Sequence, residues 1–204
     1  MSEHFKDEFA NVLLAANLYG RFARTKFRVS GNRQDPYRQG LVKTYARRFG
    51  LKVFVETGTF LGDMVEAVRH DFEKVYSIEL DPRLYRAAKF RFRRFPNVWI
   101  LYGDSAEVLP KLMERVHVPC LFWLDAHFLS PRLGSKQPPL ERELQTISEH
   151  PVRGHVVLVD DARFLNDTAG FPAVETAHSL FPDSHFFVKD DVLRITPARY
   201  MMAQ

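Results

Sequence analysis

Acidic residues recur at one kind of place in this chain, the end of an apolar run. Glu56 follows Val53-Phe54-Val55, and Glu79 follows Val75-Tyr76-Ser77-Ile78. Asp104 comes just after Val98 to Tyr102, Asp125 closes Cys120 to Leu124, and Asp160-Asp161 closes His155 to Val159. Short apolar runs of this kind read as parallel strands buried on both faces. In an open parallel sheet the carboxyl ends of the strands form the ligand crevice. A single such acid could be a solvated loop residue. Five in succession at strand ends point to a site.

The first of these ends carries the most information. Val53-Phe54-Val55-Glu56-Thr57-Gly58-Thr59-Phe60-Leu61-Gly62 runs from a strand through a glycine turn into a helix. Gly58 permits a sharp turn and lets a ligand approach where a Cβ would stand in the way. Gly62 should let the next helix pack close to the strand. Leu61, Met64, Val65 and Val68 then recur at helical spacing and face a sheet. Glu79 stands roughly 20 residues beyond the turn, where an acid can accept from ribose hydroxyls. The three-glycine dinucleotide fingerprint is absent, and Phe60 occupies the place of its second glycine. After the third strand, Ser105 is expected to cap a helix carrying Val108, Leu109, Leu112 and Val116.

The later strand ends could do chemistry of another kind. Asp125, Asp160 and Asp161 should converge, and three crowded carboxylates repel. A hard divalent cation such as Mg²⁺ would relieve this and could bind and acidify an acceptor hydroxyl. Asp160-Asp161 could equally cap the next element and pair with Arg163. His127 lies two residues past Asp125 and titrates near neutrality, which suits a general base. Arg163 and Arg132 are candidates for an anionic group on the acceptor.

These residues need a frame. A chain of 204 residues is one domain, or one domain with an appendage. Helices are expected from about Pro36 to Phe49 and around Leu140, Leu144 and Ile147. Phe186 to Ile195 should form two short strands joined through Asp190-Asp191. The loops at Pro131 to Pro139 and Asp167 to Pro172 flank the acids. Lys and Arg outnumber Asp and Glu by 29 to 25 overall. Residues 1–50 hold ten bases against four acids, which leaves nineteen against twenty-one for the rest. The basic excess therefore precedes the glycine turn, on a segment with a Phe5, Phe9, Val12, Leu13 and Ala16 stripe. This segment reads as a helical cap with a solvated basic face, or as a lid that attracts an anionic substrate. The Phe90 to Phe95 run, with Arg91, Arg93 and Arg94, reads as an exposed helix end. No apolar run is long enough to span a bilayer. Val12 to Leu18 is too short for a signal peptide core and follows acids. Cys120, the one cysteine, should be a buried packing residue, which excludes an intrachain disulfide. A cytoplasmic protein is expected.

Across residues 51 to 196 these motifs resemble the class I S-adenosylmethionine-dependent methyltransferases. Glu56-x-Gly58-x-x-x-Gly62 looks like that superfamily's first motif, Glu79 like its ribose-binding acid, and Gly103-Asp104-Ser105 like its adenine-side loop. Val-Glu-Thr-Gly-Thr-Phe-Leu-Gly, Trp-Leu-Asp-Ala-His and Val-Asp-Asp-Ala-Arg look like small bacterial members related to the metal-dependent sugar and macrolide O-methyltransferases. The resemblance implies an α/β Rossmann-like, mostly parallel twisted sheet with helices on both faces and an antiparallel edge hairpin. It implies an N-terminal helical extension at 1–50 and a cofactor-binding domain at 51–204. S-adenosylmethionine would contact Glu56, Thr57, Gly58, Thr59, Gly62, Glu79, Leu80, Gly103, Asp104, Ser105 and Asp125. Asp125, Asp160 and Asp161 match the metal-binding acids of those relatives, with Asp125 and His127 as catalytic residues.

The acceptor expected is a small hydroxylated molecule, such as a sugar or secondary metabolite. Two alternatives are a nucleic-acid or protein methyltransferase docking through the basic N-terminal segment, and a non-catalytic nucleoside-binding protein. Amine-directed nucleic-acid enzymes often carry Asn/Asp-Pro-Pro-Tyr/Phe after the fourth strand. Asp125-Ala126-His127-Phe128 stands there instead, which argues against a nucleic-acid partner. No membrane partner is expected. The N-terminal helical segment could exchange between subunits of a homodimer.

Overall fold

Strict alternation along each strand sets which residues meet which helices. The computed structural model describes residues 35–125, 139–165 and 174–198. Seven strands form one sheet: β1 Val53–Thr57, β2 Lys74–Glu79, β3 Val98–Tyr102, β4 Cys120–Leu124, β5 Val156–Val159, β6 Ser184–Lys189 and β7 Val192–Pro197. Their spatial order is β3-β2-β1-β4-β5-β7-β6. The first five run parallel, β7 runs antiparallel to β5, and β6 pairs antiparallel with β7. The sheet and its edge hairpin are as expected. Asp190 and Asp191 make the hairpin turn with φ of 52° and 62°, as a two-residue turn of this hand requires.

Among the described residues six helices cover the two faces. They are α1 Pro36–Phe49, α2 Asp63–Val68, α3 Pro82–Phe92, α4 Ser105–Met113, α5 Leu140–Glu149 and α6 Val174–Leu180, with a short 3₁₀ turn at Ala162–Phe164. On one face Phe54, Leu121, Trp123 and Leu158 pack with Val42, Tyr45 and Phe49 of α1, Val65 and Val68 of α2, and Ala88 and Phe92 of α3. On the other, Val55, Phe122 and Val157 pack with Leu109 and Leu112 of α4, Leu140, Leu144 and Ile147 of α5, and Ala177 of α6. Side chains alternate between faces along a strand. Glu56 therefore points to the α1–α3 side and Thr57 to the α4–α6 side, one residue apart at the crevice. Cys120 is a free, buried thiol. Among the described residues no helix is long and apolar enough to cross a membrane.

Local chemistry explains the boundaries. Asp35 caps α1 by accepting from the Tyr37 and Arg38 N–H groups, with Pro36 in the first turn. Gly50, at φ 62°, ends the same helix. Three sequence expectations change. Asp104, rather than Ser105, caps α4 by accepting from Ala106 N, because the aspartate sits in extended backbone one residue before the helix. Gly62 does not serve helix–strand packing. A Cβ there would lie 2.6 Å from Cε2 of Phe92 on α3, so its small size serves a helix–helix approach. The Phe90 to Phe95 run is also only partly exposed. Phe92 is buried, Arg91 pairs with Asp63, and the Arg69 guanidinium lies 3.9 Å from the centre of the Phe95 ring. The N-terminal stripe, both acid-flanking loops and residues 199–204 fall largely or wholly outside the described residues.

Gly62 also has φ 76°, in the left-handed region. Gly62→Ala combines that backbone penalty with a clash against a buried ring. It should lower unfolding free energy by about 2–4 kcal/mol, the sum of a left-handed Ala and a modest overpacking cost. Urea denaturation of the variant against the native chain measures this.

Candidate functional site

The parallel register brings the acids into one row at the carboxyl edge of the sheet. Glu56 stands opposite Ser77 across β1 and β2, and Ser77 Oγ donates to Glu56 Oε2 at 2.5 Å. Thr59 Oγ1 joins the same chain, 2.6 Å from Ser77 Oγ. Glu56 is almost fully buried, and burial pushes its carboxyl up to about 8, although Ser77 favours the charged form. In the fold this acid holds its proton at neutral pH. A cationic group brought against it would release that proton.

Glu79, at the end of β2, organises the turn. Its Oε2 accepts from Phe60 N at 2.7 Å and its Oε1 from Asp81 N at 2.8 Å. A carboxylate offers four acceptor sites, so room remains for a ribose hydroxyl. Burial raises its pKa and those backbone donors oppose the rise. Phe60 has φ 50°, a left-handed conformation that glycine adopts freely. This is the position where the fingerprint glycine is replaced. The Phe60 N–H bond to Glu79 helps to hold it there. Gly58, at φ 89°, makes the turn itself, and its N–H donates to Ile78 O. Gly103, at φ 134°, places Asp104 and Ser105 beside the end of β2, through a bond from Gly103 N to Glu79 O. Leu80 lies between Glu79 and Asp81 at the same edge.

Asp125 and Asp160 follow at the ends of β4 and β5, linked through the bond from Asp160 N to Leu124 O. Burial drives the Asp125 carboxyl well above its usual range, and Asp160, Asp161 and Glu56 drive it further. The expected repulsion among these acids is therefore present. Its relief comes from an unforeseen residue. Arg38, on α1, donates from Nε to both carboxylate oxygens of Asp160 at 2.7 Å, and from Nη1 to Asp35 Oδ2 at 2.5 Å. Burial lifts the Asp160 and Asp161 carboxyls, and Arg38 opposes the rise in both. Asp161 has φ 54° and pairs with Arg163 at 2.6 Å. Arg163 also pairs with Asp191, so its guanidinium is engaged within the protein rather than turned to an incoming anion. A second tie of α1 runs from Tyr37 to the edge hairpin. Tyr37 Oη donates to Asp190 Oδ2 and accepts from Arg194 Nη2 at 3.0 Å.

The arrangement does not fit the expected divalent ion. A guanidinium already spans both oxygens of Asp160, a second pairs with Asp161, and a metal would have to displace them. Among the described residues no group of three His, Cys, Asp or Glu side chains is placed to hold an ion. The sequence could not reveal Arg38 because its partner lies 122 positions away. His127 and Arg132 lie outside the described residues.

A sheet ordered 3-2-1-4-5-7-6, with a glycine turn after β1 and acids at the following strand ends, is the class I S-adenosylmethionine-dependent methyltransferase fold. Solved structures of such enzymes share it. The chain matches the S-adenosylhomocysteine-bound methyltransferase of Podospora anserina at 16% identity and a TM-score of 0.58, over 97% of both chains. It matches the O-methyltransferase TomG of Streptomyces achromogenes, involved in tomaymycin synthesis and complexed with S-adenosylmethionine, at 18% and 0.56, over 89% of this chain and 88% of that one. The 23S rRNA methyltransferase ErmE matches at 14% and 0.53, over 80% and 68%. These likenesses establish the fold. No family model and no curated protein matches the sequence.

Arg38→Met should leave the Asp160 carboxyl buried without its cation. We expect a loss of about 2–4 kcal/mol at pH 8, near the range for breaking a buried ion pair. The loss should shrink towards pH 5, because the uncompensated acids then take up protons in the fold. Asp160→Asn in the same chain should recover much of it. Denaturant unfolding of the native chain and the two variants at both pH values provides the check.

Proposed function

We propose that this protein transfers a methyl group from S-adenosylmethionine to a hydroxyl of a small acceptor, a sugar or other secondary metabolite. The observation that carries the reading is the alignment of the Gly58 turn, the Glu79 carboxylate and the Gly103–Ser105 loop. They stand at the carboxyl ends of three neighbouring strands, with Asp125 next along the edge. That row lines up the polar groups that a nucleoside with an amino-acid tail would need. Thr57, Gly58, Thr59 and Gly62 would border the methionine portion, with Glu56 beneath it. Glu79 and Leu80 would take the ribose, and Gly103, Asp104 and Ser105 the adenine. The bound cofactor supplies an electrophilic methyl group on a sulfonium.

This chain's own work is then to align an acceptor and remove its proton. Asp125, whose carboxyl is raised by burial and by its acidic neighbours, has the proton affinity an ordinary carboxylate lacks. It would act with His127 on the acceptor hydroxyl. Arg132 and Arg163 would meet an anionic acceptor, Arg163 by exchanging its present partners. Residues 1–50 would form the cap over this half of the crevice, anchored through Arg38. No divalent ion enters the reading, because Arg38 supplies the positive charge at Asp160.

Calorimetry of the full chain tests the cofactor directly. S-adenosylhomocysteine should bind and NAD should not. The reverse result would overturn the reading. Glu79→Ala should weaken binding by about 1–3 kcal/mol, the usual loss for a hydrogen bond to a charged group. Once an acceptor is found, excess chelator should leave transfer unchanged.

A further inference from the structure

The methyl-transfer reading leaves one buried acid unused. Glu143, in the first turn of α5, is completely buried on the apolar side of that helix with Leu140, Leu144 and Ile147. Neither of its carboxylate oxygens completes a hydrogen bond, and the buried Thr57 Oγ1 is unpartnered as well. A buried polar group without partners is costly, so a leucine here would be the more stabilising choice. The neighbours are informative. The Thr57 and Ser105 hydroxyls lie against the carboxyl and favour its charged form. Burial outweighs them, and Asp104 adds to the rise, to about 7. Thr57 is the last residue of β1, directly before Gly58. Ser105 is the first residue of α4, directly after Gly103-Asp104.

Glu143 thus stands where two cofactor-facing loops meet, on the α4–α6 side of the sheet, opposite Glu56. Its two oxygens can accept from both hydroxyls at once. It also belongs to the first turn of the helix that follows residues 126–138, the segment carrying His127 and Arg132. We propose that Glu143 is a positioning residue, whose carboxyl ties the Thr57 turn to the Ser105 loop and so sets how tightly the adenosyl cofactor is held. This rests on the proposed cofactor reading. The group would act through Thr57 and Ser105 rather than by touching cofactor or acceptor.

The test separates this role from simple packing. In the full chain, Glu143→Leu should weaken S-adenosylhomocysteine binding about 10- to 100-fold, the loss of one or two hydrogen bonds that the carboxyl would complete to the Thr57 and Ser105 hydroxyls as the two loops close on the cofactor. Its thermal midpoint should equal or exceed that of the native chain, because a buried unpartnered acid has been removed. Glu143→Gln, which keeps an acceptor and adds a donor, should bind within about threefold of the native chain, since a neutral bond persists. A Thr57→Val/Ser105→Ala double variant should show a similar loss and covers the case in which Glu143→Leu does not fold. Native affinity in Glu143→Leu or in the hydroxyl-less variant would overturn the proposal, as would Glu143→Gln binding as weakly as Glu143→Leu. A folded native chain that binds no S-adenosylhomocysteine would instead sink the cofactor reading, and this inference with it.

Discussion

Desolvation of carboxyl groups at one edge of the sheet is the constraint on which the other features of this site depend. Parallel strands must end somewhere, and here they end in acids that the covering helices largely remove from water. Glu56 answers by keeping its proton, held up to about 8 by burial. Glu79 answers by accepting from two backbone N–H groups. Asp160 answers by recruiting Arg38 from α1. Three acids in similar places receive three different solutions, and each solution assigns a different role. The neutral acid would release its proton to an approaching cation. The backbone-bonded acid shapes a turn and, in the proposed function, accepts from the ribose. The ion-paired acid anchors a helix.

The ion pair at Asp160 links the N-terminal region to the site. Helix α1 adds Val42, Tyr45 and Phe49 to the core on its face of the sheet. Its amino end is tied to the carboxyl edge of the sheet through Arg38 to Asp160, and to the edge hairpin through Tyr37 to the Asp190 turn. Apolar burial holds the body of the helix, and charge fixes its end over the crevice. The local excess of basic residues in the first fifty positions acquires a specific use at Arg38.

Much of this was legible in the sequence because it is local. The strand runs, the Gly58 turn, the Pro36–Phe49 helix and the Asp190-Asp191 hairpin follow from periodicity and turn chemistry within a dozen residues. So does the row of acids, since each is defined by the strand it closes. What escaped was long-range. Arg38 meets Asp160 across 122 positions, and Ser77 meets Glu56 across 21. Glu143 reads as an ordinary first-turn acid until α4 and β1 close over it. Gly62 looked like a helix–strand contact, and only the placement of Phe92 shows otherwise. The metal expectation rests on the same kind of local pattern. Three acids predict a cation, and that pattern cannot say that a guanidinium from another helix already pairs with one of them.

Glu56 offers the most direct measurement. S-adenosylhomocysteine carries an ammonium on its amino-acid tail, and in the proposed function that tail lies at the Gly58 turn above Glu56. Titration of the full chain at pH 7, in two buffers of different ionisation enthalpy, reads the protons exchanged on binding. Proton release is expected, because the ammonium draws the Glu56 carboxyl down from about 8, and Glu56→Gln should lose this release. Proton uptake on binding, or the same release in Glu56→Gln, would contradict it.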